Sequence, residues 1–217
     1  MSRNYSVDFI TFCHPGDISR FYVDQWLPDV VRSHWYEFDT VRVIHQRCQG
    51  ISYKLPNLQT SPFSALAVHQ SECESHSKIL SEFGLPEVDE LADRQTHGPT
   101  APHYWKWHVI NHLIGLKVSS ADYIVFSDND CLIRSQGGER SWIDVGIEIL
   151  KRYPEILIIS PGDGAVMSEA LTPEGYRCTQ NVSQQLFLCN RERMLEVDFN
   201  IPWNWEMTAP GDRKSVV

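Results

Sequence analysis

Positive charge is scarce in this chain: 19 Lys and Arg stand against 28 Asp and Glu, a net charge of −9 over 217 residues. That balance argues against a nucleic-acid partner, which needs a basic face, and a phosphate-bearing ligand would require a local cation. Long apolar runs are also missing, and no stretch approaches the roughly 20 residues of a membrane-spanning helix. The opening "MSRNYSVDFITF" has neither an apolar leader core nor a small-residue cleavage site, so secretion is not expected. Without export, the acceptor pattern Asn181-Val182-Ser183 has no consequence. The six cysteines (Cys13, Cys48, Cys73, Cys131, Cys178, Cys189) include no Cys-x-x-Cys pair. They are expected as small buried residues of a reduced compartment, with no disulfide framework or zinc site. These absences leave a cytoplasmic, enzyme-sized chain.

What is present is ordinary globular material, 42% apolar and 22% charged, enough for one well-buried domain over 1–217. Short apolar runs predict strands at Val7–Phe12, Thr40–His45, Asp122–Phe126, Ile156–Ser160 and Leu186–Cys189. Helices are predicted between them. "SWIDVGIEILKRYPE" places Trp142, Val145, Ile149 and Tyr153 at helical spacing, with Ser141 and Asp144 as a capping-box-like start and Pro154 as a stop. Asp17 can cap a helix through "ISRFYVDQW", ended or kinked at Pro28. "PHYWKWHVINHLIGLK" sets Trp107, Ile110, Leu113 and Ile114 on one side. Residues 49–102, rich in Ser, Pro, His and Glu, read as a loop-rich insertion around one or two short helices, and 200–217 as a C-terminal lid or tail. The alternation predicts an α/β fold, a mixed and mostly parallel Rossmann-like sheet flanked by helices. In such sheets ligands gather beyond the carboxyl ends of the strands.

One strand ends unusually. In "ADYIVFSDNDCLI" the apolar run 123–126 breaks at Asp128, Asn129 and Asp130, then resumes at Cys131. In extended chain, residues two apart point to the same side. Two carboxylates serving one site repel, and a shared divalent cation keeps both ionised. Oxygen-only ligation suits Mg²⁺ or Mn²⁺, which combine one or two carboxylates with substrate phosphates. A solvated turn that happens to carry two aspartates is the plain alternative, but apolar residues flank this one on both sides.

"DYIVFSDNDCLI" resembles the Asp-x-Asp signature of GT-A-fold glycosyltransferases, in which a buried strand delivers metal-binding carboxylates to a sugar-nucleotide diphosphate. Three further stretches fit the resemblance. "TFCHPGD" follows the first strand where such enzymes hold the nucleotide. "YWKWHVINHLIGLKVSSADYIVFSDND" is similar to the helix that feeds the Asp-x-Asp strand, and "VSQQLFLCNRERML" to the acceptor-side strand and helix. The resemblance implies that Asp128 and Asp130 meet the donor and a Mn²⁺ or Mg²⁺ ion, with Asp130 the direct ligand. It places Thr11, His14 and Asp17 on the loop edging base and ribose, and Lys106 within reach of a phosphate. Asp17 has a rival role as a helix cap, and Lys106, among tryptophans, one as a snorkelling amphipath. The donor would be a UDP- or GDP-sugar, and the acceptor a glycan, lipid-linked or small hydroxyl compound of a polysaccharide pathway.

Transfer with inversion also needs a base for the acceptor hydroxyl. Candidates are Asp163 in "SPGDG", Glu192, Asp198 and, between Trp203, Trp205 and the chain end, Glu206. Of these, Asp198 and Glu206 are the catalytic candidates preferred, with the tryptophans beside Glu206 facing a sugar; packing of a hydrophobic lid is their ordinary alternative. His103, His108 and His112 lack the His-Glu-x-x-His arrangement and read as structural. No histidine follows His112, so the late metal-binding histidine of some retaining families has no counterpart. The chain ends at Val217, soon after Glu206, which fits either a minimal enzyme or one short of acceptor machinery. Two other functions are open: a haloacid-dehalogenase-type phosphatase, whose Asp-x-Asp also crowns a strand but near the N-terminus, and a sugar-nucleotide-binding relic without catalysis.

Overall fold

The structure, a computed structural model, describes residues 3–48, 50–55, 57–60, 62–71, 76–85, 101–133, 140–161, 170–171, 177–178 and 185–197. For residues 60, 101–109, 170–171 and 177–178 it describes the main chain alone. Its frame is a six-stranded sheet. In chain order the strands are β1 (Val7–Cys13), β2 (Thr40–His45), β3 (Leu66–Gln70), β4 (Tyr123–Ser127), β5 (Ile158–Ile159) and β8 (Leu186–Asn190), in the spatial order β3-β2-β1-β4-β8-β5. All neighbouring pairs from β3 to β4 are parallel, while β8 runs antiparallel between β4 and β5. This is the mixed, mostly parallel sheet flanked by helices that the sequence predicts. β6 (Ala170–Leu171) and β7 (Arg177–Cys178) form a separate two-stranded ribbon that the sequence did not signal.

Every residue of β1 and β4 is buried, as near-continuous β-branched and aromatic runs require of strands covered on both faces. Alternation sends Val7, Phe9 and Val125 into one core, with Leu27, Val30 and Val31 of α1 (Trp26–Ser33) and Ile143, Ile147 and Leu150 of α4 (Trp142–Arg152). Ile10, Phe12 and Phe126 enter the other core, against Ile79 and Leu80 of α2 (His76–Glu82) and Ile110, Leu113 and Ile114 of α3 (Ala101–Val118). Within the sheet Asp8, only 2% exposed, takes Arg42 Nε at 2.6 Å and Ser119 Oγ at 2.7 Å. A buried carboxylate needs such partners.

Several expectations are corrected. The insertion 49–102 contains a sheet strand, β3, as well as α2. β3 is half-buried along its length and carries no apolar alternation, which hid it. The strand expected over Ile156–Ser160 pairs only at Ile158–Ile159. Asp17 caps no helix: Pro15–Asp17 is a 3₁₀ turn, Ser19–Val23 a π-helical turn, and neither has a side-chain cap. Pro28 does not end the helix but sits inside the first turn of α1, where backbone amides have no intrahelical partner. α4 does start at Ser141, whose Oγ accepts from Ile143 N at 3.2 Å. Its buried face is Ile143, Gly146, Ile147, Ile149 and Leu150, one step round from the expected one.

Candidate functional site

The strand order reverses at β1, which has β2 on one side and β4 on the other. The carboxyl ends of β1 and β4 therefore form a switch point, the place where open α/β sheets take ligands. Register puts Thr11 beside Ser127 and Cys13 beside His45 at that rim. Antiparallel β8 brings its amino end there too, with Leu186 opposite Ser127.

β4 ends at Ser127, and 128–131 is a turn closed by Cys131 N on Asp128 O at 3.3 Å. The same-side argument for two residues in extended chain therefore does not apply. The turn itself brings Asp128 and Asp130 into electrostatic contact. Asp128 is half-buried, and burial first, then the Asp130 charge, raise its carboxyl to about 6. The same surroundings push the neighbouring Cys131 thiol up to about 11, which keeps it neutral at physiological pH.

The turn is held from three sides. Asp128 N donates to Gln185 O at 2.7 Å. Asn129 Nδ2 donates to Asp17 Oδ2 at 2.9 Å, and Trp26 Nε1 donates to Asn129 O at 2.7 Å. The Arg20 guanidinium lies over the Trp26 ring, 4.2 Å from its centroid. Ile133 N reaches Ser33 Oγ at 3.1 Å, tying the following segment to α1. None of Asn129, Trp26 or Gln185 stood out in the sequence. Asn129 was a spacer between aspartates, and its amide shows a role only once Asp17 lies beside it.

Of the expected site residues, the structure brings Asp17, Asp128 and Asp130 to one rim. His14 is exposed on the same loop after β1, and its carbonyl accepts from Asp17 N at 2.9 Å. Thr11 is not on that loop: it lies within β1 at 0% exposure, its hydroxyl without a partner. Lys106 is in the first half of α3, 101–109, of which only the main chain is described. Asp163, Asp198, Trp203, Trp205 and Glu206 lie outside the described residues. Glu192 is on the wrong side. It opens α5 (Arg191–Leu195) after β8, where Asn190 pairs with Tyr123 and Arg191 N donates to Asp122 O, at the amino end of β4. "VSQQLFLCNRERML" therefore meets the rim through Gln185 and Leu186, and its helix does not.

Beside the rim, at the ends of β2 and β3, a polar group fills the space between the strands and the turn after β1. Gln70 Nε2 donates to His45 Nδ1 at 3.2 Å, so neutral His45 carries its proton on Nε2, 2.6 Å from Tyr22 Oη. Burial lowers His45 to about 4 and keeps it neutral. Tyr53 stacks on Tyr22 with centroids 4.8 Å apart. A cavity of about 500 Å³ lined by Arg32, Trp35, Tyr36, Glu37 and Phe63 lies at the other pole, where the Phe38–Phe63 bridge precedes β2 and β3. That cavity is not the switch-point site.

No family model matches the chain, and no curated protein does. Among solved structures it is similar to the crystal structure of mouse Xyloside xylosyltransferase 1 in its apo form. That likeness has a TM-score of 0.45 at 10% identity, over 88% of this chain and 68% of the other. At that level it carries no argument about activity, which has to come from the residues.

Proposed function

We propose that the chain is a glycosyltransferase that moves a sugar from a nucleotide-sugar donor to a hydroxyl acceptor. One observation carries the reading: two mutually repelling carboxylates, Asp128 and Asp130, sit on a pinned turn at the carboxyl end of a central strand, at the switch point of the sheet. The donor set fits a hard cation. It is oxygen-only, and the Asp128 carboxyl, raised by burial first and by the Asp130 charge second, lies where a bound cation would favour its ionised form. Among the described residues no group of three His, Cys, Asp or Glu could close a metal cage. Substrate phosphates would complete the ligand set, as Mg²⁺ and Mn²⁺ sites commonly allow.

In this reading Asp128 and Asp130 hold Mn²⁺ or Mg²⁺, which when bound supplies positive charge against the leaving diphosphate. The loop with His14 edges the nucleoside, Lys106 is assigned to a phosphate, and half-buried Tyr53, stacked on the buried Tyr22, offers an aromatic surface. Thr11 supports the strand instead of touching the donor. Asp198 or Glu206 removes the acceptor proton; a glycan, lipid-linked or small hydroxyl compound takes the sugar. No described helix is long and apolar enough to cross a membrane. We place the protein in the cytoplasm on the basis of its composition.

Calorimetric titration of UDP, GDP and CDP and their sugars, with and without Mn²⁺, tests the proposal against wild type and Asp130→Ala. One nucleotide is expected to bind, to need the metal and to be lost in the variant. Slow hydrolysis of the matching sugar nucleotide then separates an enzyme from a binding relic. Failure of every nucleotide under every metal would sink the proposal and favour phosphatase chemistry.

A further inference from the structure

The middle residue of the acidic turn is gripped at both ends. Its side-chain amide donates to Asp17 Oδ2 and its carbonyl accepts from Trp26 Nε1, at 2.9 and 2.7 Å. Both partners come from the stretch that follows β1, while the turn follows β4, so the two grips span 112 and 103 residues of sequence. The Arg20 guanidinium lies over the Trp26 ring at 4.2 Å, a contact that favours this placement of the indole. Asp17 is itself fixed by its amide on His14 O. The turn between two repelling carboxylates is thus held at its centre from outside, and those charges would otherwise splay it.

We propose that Asp17 is a positioning residue, not a ligand: by accepting from Asn129 it sets the spacing of Asp128 and Asp130, with Trp26 as the second half of the clamp. The inference rests on the donor-site reading for its purpose, but the clamp can be measured without it. A hydrogen-bond acceptor is all the geometry asks of Asp17; its charge is not used on metal or ribose. Partners that orient ligating carboxylates change metal affinity by about 10- to 100-fold when removed.

The test combines amide hydrogen exchange over 127–131 with the free-Mn²⁺ paramagnetic resonance signal, titrated in the presence of UDP or GDP. Asp17→Ala and Asn129→Ala are each expected to speed exchange at Asp128 and Cys131 while leaving β1 and β4 protected. Each should weaken Mn²⁺ uptake about 10- to 100-fold, and the double variant should lose no more than either single one. Asp17→Asn keeps an acceptor oxygen and should behave as wild type in both measurements. Trp26→Phe keeps the ring but not the donor and should fall between. Two results would overturn the proposal: Asp17→Asn as damaging as Asp17→Ala, which would make the charge itself the functional element, or wild-type exchange in Asp17→Ala. The expected exchange pattern without Mn²⁺ uptake by any variant or wild type would uphold the clamp and remove the donor-site reading instead.

Discussion

His34 is a small example of what burial does to a titratable group. Its Nδ1 accepts from Trp142 Nε1 at 3.3 Å, Phe9 meets the ring edge-on at 5.1 Å, and Nε2 has no partner. Nothing there welcomes a proton, and burial lowers its pKa from 6.5 to about 4. The unfolded chain therefore binds a proton below 6.5 that the folded chain refuses until about 4. The stabilising contribution is full above 6.5 and is lost as pH falls across that window, by about 3 kcal/mol in all. His45 acts in the same direction over the same range. Urea unfolding from pH 7 to 4 should show this slope, and His34→Gln, which keeps an acceptor for Trp142, should flatten it by about one proton. Asp128 works in the opposite sense: its raised pKa means that ionisation costs stability as pH rises from 3.8 to about 6. Nothing in the sequence around His34 signals this property, which its neighbours in the fold give it.

Helix and sheet meet closely where α3 crosses β1 and β4. A Cβ on Gly115 would lie 2.6 Å from Phe126 Cε1 and 3.1 Å from Ile10 Cδ1. Phe126 cannot yield, being 1% exposed and wedged against Phe12, His112 and Phe187. Alanine gains up to about 1 kcal/mol in helix propensity, but overpacking a core costs about 1–3 kcal/mol. Gly115→Ala should therefore lose about 1–2 kcal/mol in denaturant unfolding with an unchanged slope. The helix was legible in "PHYWKWHVINHLIGLK" because Trp107, Ile110, Leu113 and Ile114 fall on one side; the reason for its glycine was not. β3 was illegible for the converse reason. An edge strand with both faces half-covered needs no apolar pattern, since its pairing with β2 comes from backbone groups. The break in 128–131 was legible in composition, but its turn geometry was not.

On the scale of the whole molecule, the proposed function sets a net charge of −9 against a polyanionic donor, an opposition that a bound cation would offset. A ligand that binds only the folded chain stabilises all of it. At 100 times its dissociation constant, the Mn²⁺-nucleotide pair should add about 2.7 kcal/mol. For a chain of this size that corresponds to a rise of about 5–10 °C in melting temperature. Scanning calorimetry should show the rise in wild type, its reversal by chelator and its absence in Asp130→Ala. A rise without metal would mean that the anion is held by the protein's own cations.

The sequence alone determined the strands and helices that carry strong patterns: β1, β2, β4 and β8, the start of α4 and the apolar side of α3. These follow from local chemistry, since a run such as "VDFITF" can be buried on two faces and "SWID" can cap its own helix. It also singled out Asp128 and Asp130, because two charges interrupting a buried strand are visible without coordinates. Tertiary structure decided what those charges meet. Asp17 reaches Asn129 only because parallel pairing of β1 with β4 sets the two strand ends side by side. Glu192 leaves the rim only because β8 runs antiparallel. Such relations depend on strand order and direction, which arise from contacts between residues far apart in the chain and leave no mark on the residues at either end.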